Sequence, residues 1–322
     1  MITSMRRMTV YLPSTLGWAV GILLLAATLT LVGFGGPASA KDPAVYKTPE
    51  AAAQAILDAL AKEDHDAILA VLGDEFKDQL FTDEVSREKA TYERVVAAAK
   101  EAMQLRADDE NTRVMVIGKD AWPMPFPIVH DAKGWHFDTA AGIDELVARH
   151  VGENELATIS TLRAYVDAQV QYASADRDGD EVLEYAQKVI STAGKKDGLY
   201  WQVASADDAV SPFGPFIAEL PDYVKERKSG EPYMGYYYRI LTRQGENPPG
   251  GRYDYIINGN MIAGFAAVAV PAEYGETGVM TFVVSQQGKV YQKDLGEDTA
   301  LAAAAIQEYN PDDSWTLVQE SQ

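Results

Sequence analysis

The run Asp176-Arg177-Asp178-Gly179-Asp180, followed by Glu184, places carboxylates at alternate positions of a turn-forming stretch. Alternate side chains in a tight turn point toward one centre, and a hard cation such as calcium needs several such oxygens with a backbone carbonyl and water. The spacing matches the opening of a calcium loop. It departs from the EF-hand pattern at Glu181, where that loop has glycine, and at Gln187, where it has the closing glutamate. Asp176, Asp178, Asp180 and Glu184 are the candidate calcium ligands, with Glu184 closing a shorter loop. The other reading is a solvated acidic turn that ends a long helix.

A second constellation is aromatic, with Tyr233, Tyr236, Tyr237, Tyr238, Tyr253 and Tyr255 lying close together in sequence. Tyr236 and Tyr238 share one face of an expected strand, and Tyr253 and Tyr255 share a face of the next. Such a platform suits a glycan or a peptide. The same four residues, Tyr236, Tyr238, Tyr253 and Tyr255, also suit ordinary cross-strand packing.

Other chemistries find little footing. His65, His130, His136 and His150 show no HExxH or comparable ligand spacing, although His130 and His136 flank an expected turn, a placement that could bring them together across a hairpin. The chain lacks G-x-S-x-G, S-x-x-K, a P-loop and G-x-G-x-x-G. Zero cysteines exclude disulfides, thiolate metal sites and cysteine nucleophiles. With 48 acids, accidental carboxylate pairs are abundant, so a paired-carboxylate hydrolase stays open without being singled out.

The compartment is set by the first forty residues. Met1 to Leu16 carries Arg6 and Arg7 and no acid, Gly17 to Val32 is almost wholly apolar, and Ala38-Ser39-Ala40 offers the small residues of a signal-peptidase site. Residues 1–40 therefore read as a signal peptide cleaved after Ala40, and the mature chain as periplasmic. An uncleaved inner-membrane anchor is the alternative, the apolar run falling just short of the ~20 residues that span a bilayer. Cleavage would take two arginines and no acid from a chain of net charge −20, leaving it more negative still. That field disfavours nucleic acid and anionic headgroups, so membrane contact is expected only through the leader.

The elements that would position these residues read as α+β. Thr48, Pro49 and Glu50 start a helix with Ala52, Ile56 and Leu60 on one face. A second helix, Asp66 to Leu72, stops at Gly73, and residues 84–105 repeat Tyr92, Val95, Val96, Ala99 and Met103 at helical spacing. Short β runs follow at Thr112 to Ile117, Phe126 to His130 and Gly134 to Asp138, with WPMPFP as an extended connector between the first two. This N-terminal domain, residues 45–150, is expected to be a set of helices with a small meander, of the cystatin-like kind.

Residues 151–320 are expected to be one long helix packed on a four- or five-stranded antiparallel sheet. The helix runs from about Glu153 to Ala173 with Leu156, Ile159, Leu162, Val166 and Val170 inward. Strands are expected at Tyr236 to Thr242, Tyr253 to Ile257, Met261 to Val270, Val279 to Ser285 and Lys289 to Leu295, with a primed hairpin at Asn258-Gly259 nucleating the sheet and a closing helix Thr299 to Tyr309.

The strings GKDAWPMPFPIV, GWHFDTAAG, RHVGENELATISTLRAYVDAQVQYAS, DGLYW, GYYYRILTRQG, NGNMIAGFAAVAVPAEYGETGVMTF and YQKDLGEDT, in this order, resemble the bacterial family called domain of unknown function 2950. The resemblance covers about Val45 to Val318. It implies an exported protein and transfers no catalytic residues. NELATISTLRAYVDAQVQY with GYYYRI and PAEYGETGVMTFVVSQQGKV also resembles the globular part of pilin-like and pseudopilin-like proteins, which implies a helix on an antiparallel sheet. No prepilin-type apolar helix directly precedes Asn154, so only the fold is implied.

The function expected from all this is an exported envelope protein, a binding or assembly module for an envelope protein or glycan. The alternative is a periplasmic carboxylate-dependent hydrolase acting on envelope polymers.

Overall fold

The computed structural model describes residues 40–81, 85–202, 210–214 and 231–319, the side chains of 85–87 excepted. The expected leader, apart from Ala40, lies outside the described residues. The chain divides into two compact units, Met1–Arg149 and His150–Gln322. No described helix is long and apolar enough to cross a membrane.

In the first unit the Thr48 hydroxyl accepts from the amide of Ala51 and starts α1 (Pro49–Lys62). This helix buries Ala52, Ala53, Ile56, Ala59 and Leu60, and the three buried alanines let neighbours approach closely. Asp64 caps α2 (His65–Leu72), which ends at Gly73 with φ 81°. After α3 (Lys77–Leu80) comes α4 (Val85–Glu101). Helical spacing carries the expectation on to Met103, but Met103 opens β1 (Met103–Ala107). The reason is pairing: β1 runs antiparallel to β2 (Thr112–Ile117), Met103 opposite Ile117, and the amide of Gly118 takes the carbonyls of Ala98 and Ala102 at the helix end.

β2 serves three partners. Besides β1, its end at Val116 and Ile117 pairs with β3 (Trp122–Pro123), and its start at Thr112 and Arg113 pairs with β4 (Ile128–Asp131). β5 (Gly134–Phe137) closes a hairpin on β4. The proline-rich connector thus spans the length of β2, and the strand expected from Phe126 begins only at Ile128. Phe126 packs instead on Gly142, where a Cβ would lie 1.9 Å from its ring. The core joins the inward faces of α1, α2 and α4 to Met115, Ile117, Trp122, Ile128 and Phe137.

α5 (Thr139–Tyr172) begins well before Glu153. Asp138 caps it, its Oδ1 accepting from the amide of Ala141 at 3.0 Å. Gly142 lies within the helix because the Phe126 ring leaves no room for a side chain there. Within the second unit the buried side of α5 is Asn154, Thr158, Thr161, Leu162, Tyr165, Ala168, Gln169 and Tyr172. Leu156 and Val170, expected inward, are exposed. The polar members of the buried side have partners that make their burial tolerable. Gln169 exchanges two 2.8 Å bonds with the backbone of Ala186 and donates to the Tyr165 hydroxyl, and Thr158 accepts from the Tyr238 hydroxyl.

The sheet of the second unit starts with β6 (Tyr236–Leu241). The chain then leaves the sheet for two small ribbons. β7 (Arg243–Gln244) pairs with β8 (Tyr253–Asp254), and β9 (Ile256–Ile257) with β10 (Asn260–Met261). It returns as β11 (Ala266–Pro271), β12 (Met280–Ser285) and β13 (Val290–Asp294), and β14 (Thr316–Leu317) completes the antiparallel order β14-β13-β12-β11-β6.

The expected strand Tyr253 to Ile257 is therefore broken and stands outside the main sheet. Its break is the wholly buried Tyr255, whose amide donates to Thr242 and whose carbonyl accepts from Ile262 and Ala263. Asn258 (φ 54°) and Gly259 (φ 97°) form the primed turn, but of the β9–β10 ribbon, so this hairpin is not a corner of the five-stranded sheet. The last helix, α6 (Thr299–Ala305), is shorter than expected. Arg239 donates to the carbonyls of Ala303 and Ile306 and ends it.

Candidate functional site

Asp176, Asp178 and Asp180 come together just past the end of α5. One carboxylate oxygen from each lies within 4.8 Å of the others, and all three residues are exposed. The turn is built by its own aspartates. Oδ1 of Asp176 accepts from the amides of Asp178 and Gly179, its Oδ2 accepts from Glu181, and Oδ1 of Asp180 accepts from Val182. The amides of Gly179 and Glu181 hold the Asp176 carboxyl below its usual range, so it stays ionised in mildly acidic conditions. Oδ2 of Asp176 and Oδ1 of Asp180, which accept one amide each, keep a further lone pair for a cation, whereas Oδ1 of Asp176 accepts two.

The turn is anchored at both ends. Arg177 donates to the carbonyls of Tyr172 and Gln171 at the end of α5, and its guanidinium lies over the rings of Tyr172 and Trp201. On the other side Asn260 donates to Oδ2 of Asp180, the amide of Met261 donates to Glu184, and Gln187 donates to the carbonyl of Gly259. Glu184 is thus tied to the β9–β10 ribbon and is not one of the three clustered carboxylates. Burial raises its carboxyl above the ordinary range, with the charges of Asp178 and Asp180 adding to the rise. Burial, with the Glu184 and Asp178 charges, pushes the Tyr172 hydroxyl up to about 12.

Glu181 occupies the place where an EF-hand loop has glycine, and its φ is 68°. The backbone there has the left-handed form that glycine would supply. The Asn260, Met261 and Gln187 contacts have no sequence signal, because each joins segments more than seventy residues apart.

The four tyrosines do not share one exposed surface. Tyr236 and Tyr255 are wholly buried. The Tyr236 hydroxyl donates to Met280, and a Cβ on Gly278 would fall 2.0 Å from it. Tyr255 donates to buried Gln244, which in turn clamps the carbonyls of Pro249 and Gly251. Burial raises both hydroxyls far above the usual tyrosine range. Tyr238 and Tyr253 are half-buried and belong to different sheets.

The histidines also stay apart. His130 sits opposite Trp135 and His136 opposite Val129, so they do not face each other across the hairpin. His65 lies 3.1 Å from buried Glu88, stacked on Phe81, and Glu88 also accepts from the Tyr92 hydroxyl.

The first unit holds a cavity of about 410 Å³ whose lining includes Lys41, Asp42, Glu75, Asp131, Lys133, His136 and Asp138. Its acids are largely engaged. Asp131 accepts the amides of Lys133 and Gly134, Asp138 caps α5, and Asp42 pairs with Lys133 at 3.4 Å.

Fold and site together define an α+β chain of two compact units in which, among the described residues, the ligand-type side chains that cluster are the aspartates of one acidic turn. The chain belongs to the family described as protein of unknown function DUF2950, whose family model matches residues 43–318. No curated protein and no solved structure matches it.

Proposed function

We propose that the chain is exported and works in the cell envelope as a binding or assembly module, with calcium held by Asp176, Asp178 and Asp180. The observation that carries the calcium reading is the convergence of three carboxylate oxygens within 4.8 Å on a turn whose sixth position, Glu181, has a left-handed backbone. Three like charges so close repel one another, and a divalent cation would remove that repulsion. Bound there, calcium would fasten the end of α5 to the β9–β10 ribbon, which already meets the turn through Asn260 and Met261. Supporting export are the basic, apolar and small-residue segments of residues 1–40. On this reading the partner is an envelope protein or glycan, and the calcium is structural.

The test is thermal unfolding of the protein in calcium and in chelator. Calcium at millimolar levels, typical of extracellular modules, is expected to raise the melting temperature. Asp178→Ala combined with Asp180→Ala is expected to abolish the rise. Superimposable curves for the unmutated protein in calcium and chelator would retire the site.

A further inference from the structure

We propose that cleavage after Ala40 completes an ion pair that the first unit is already built to receive: the new α-ammonium of Lys41 on the carboxylate of Asp74. The inference rests on the export reading and adds to it a structural consequence of processing.

The geometry is fixed by backbone. The Lys41 nitrogen donates to Oδ1 of Asp74 at 2.6 Å, and the Asp74 amide returns a bond to the Lys41 carbonyl at 3.2 Å. The following residues hold this position. Ala44 donates to Val71, and Tyr46 exchanges bonds of 2.7 and 2.9 Å with Trp135 on β5. Gly73 makes the approach possible, because a Cβ there would stand 2.8 Å from the Lys41 carbonyl oxygen. The Lys41 nitrogen is therefore placed by the chain from 41 to 46, without help from its long side chain.

Cleavage changes what that nitrogen is. In the precursor it is a neutral amide with one hydrogen. Hydrolysis breaks the Ala40–Lys41 C–N bond, water supplying a hydroxyl to the Ala40 carbonyl carbon and a proton to the nitrogen. The leader departs as a carboxylate, and the free amine takes a further proton from solvent. A hydrogen bond from a neutral amide to the Asp74 carboxylate becomes an ion pair, charged on both sides and with two more donors available.

The surroundings favour the charged form. The ionisable groups lining the cavity beside Lys41 are Asp42, Glu75, Asp131, Asp138, Lys133 and His136. Acids outnumber bases among them, and Lys133 is paired with Asp42. The α-amino group, ordinarily titrating at about 7.7–8.0, is thus expected to titrate higher in the folded chain. A folded value above the unfolded one means a stabilisation fully present below about pH 8 and lost as pH rises through the folded value.

The experiment compares the mature chain starting at Lys41 with one retaining Ala40, each with and without Asp74→Asn. Melting temperatures are read at about pH 6 and about pH 10, on either side of the ordinary α-amino range. The Lys41 chain is expected to melt higher than the Ala40 chain at the lower pH, with the gap closing at the higher pH and absent in the Asp74→Asn pair. Equal melting of the two chains at about pH 6, or a gap that survives Asp74→Asn, overturns the ion pair. Intact mass of the protein recovered after expression of the full chain gives the cleavage site separately. A start other than Lys41 overturns the cleavage reading, whereas a Lys41 start with no melting gap overturns the ion pair alone.

Discussion

Glu181 sits in the acidic turn at φ 68°, a conformation that costs an L side chain about 1–2 kcal/mol and glycine almost nothing. Glu181→Gly is therefore expected to stabilise the protein by about 1 kcal/mol, measured by chemical denaturation, after the greater freedom of glycine in the unfolded chain is offset. A loss of stability would show that the Glu181 side chain holds the turn. The aspartates were legible because turn chemistry is local: alternate carboxylates reach amides two to five residues on, and sequence spacing records that. The fate of Glu184 was not legible. Whether it joins the cluster or accepts from Met261 depends on where the β9–β10 ribbon falls, and no local pattern encodes that. The choice between platform and packing for the tyrosines was open in the sequence for a related reason. Alternation assigns side chains to faces, but Tyr236 and Tyr255 were buried by Gly278 and Gln244, residues that reach them only in the folded chain.

At the scale of elements, the sequence marks the ends that carry local capping chemistry, but neither the early start of α5 at Thr139 nor its phase. Thr48 and Gly73 cap where the sequence puts them, while Asp64 starts α2 at His65, one residue before the expected Asp66. The buried stripe of α5, however, is rotated from the one drawn by its aliphatic residues, because Asn154, Thr158 and Gln169 face inward with fixed partners while Leu156 and Val170 face out. Gln169 shows the consequence. Replacing it with leucine strands both the amide and the carbonyl of Ala186, at about 1–3 kcal/mol for each unsatisfied group. Gln169→Leu is expected to lower stability by about 2 kcal/mol or more despite being more apolar, as read by denaturant midpoint; a neutral result would mean that Ala186 finds other partners. The Asn258-Gly259 turn is a second case. Both residues have positive φ, and a Cβ at Gly259 would meet open space, so Gly259→Val acts through backbone strain alone. It is expected to cost about 1 kcal/mol or more, and to weaken the calcium response, since Asn260 and Met261 brace the turn from this ribbon. An unchanged melting temperature would count against both.

At the scale of the whole molecule, a net charge of −20 means that any salt reduces self-repulsion, so a rise in stability with calcium must be separated from general screening. The distances allow it. At physiological ionic strength the screening length is about 8 Å, longer than the 4.8 Å that spans the three aspartate oxygens, so monovalent salt leaves much of their mutual repulsion in place. A cation seated among them removes it directly. Magnesium tests the geometry further, because it demands near-ideal octahedral coordination and gives up its water reluctantly, whereas calcium accepts irregular oxygen sets. At constant ionic strength, calcium at tenfold its dissociation constant is expected to stabilise the protein by about 1.4 kcal/mol. That corresponds to a rise on the order of 2–4 °C in melting temperature. Magnesium at the same concentration is expected to give a smaller rise, and added sodium chloride only the part that persists in the Asp178→Ala, Asp180→Ala chain. Equal rises with calcium and magnesium, or a sodium chloride effect as large as that of calcium, would assign the response to the acidic surface at large and leave the turn a solvated one.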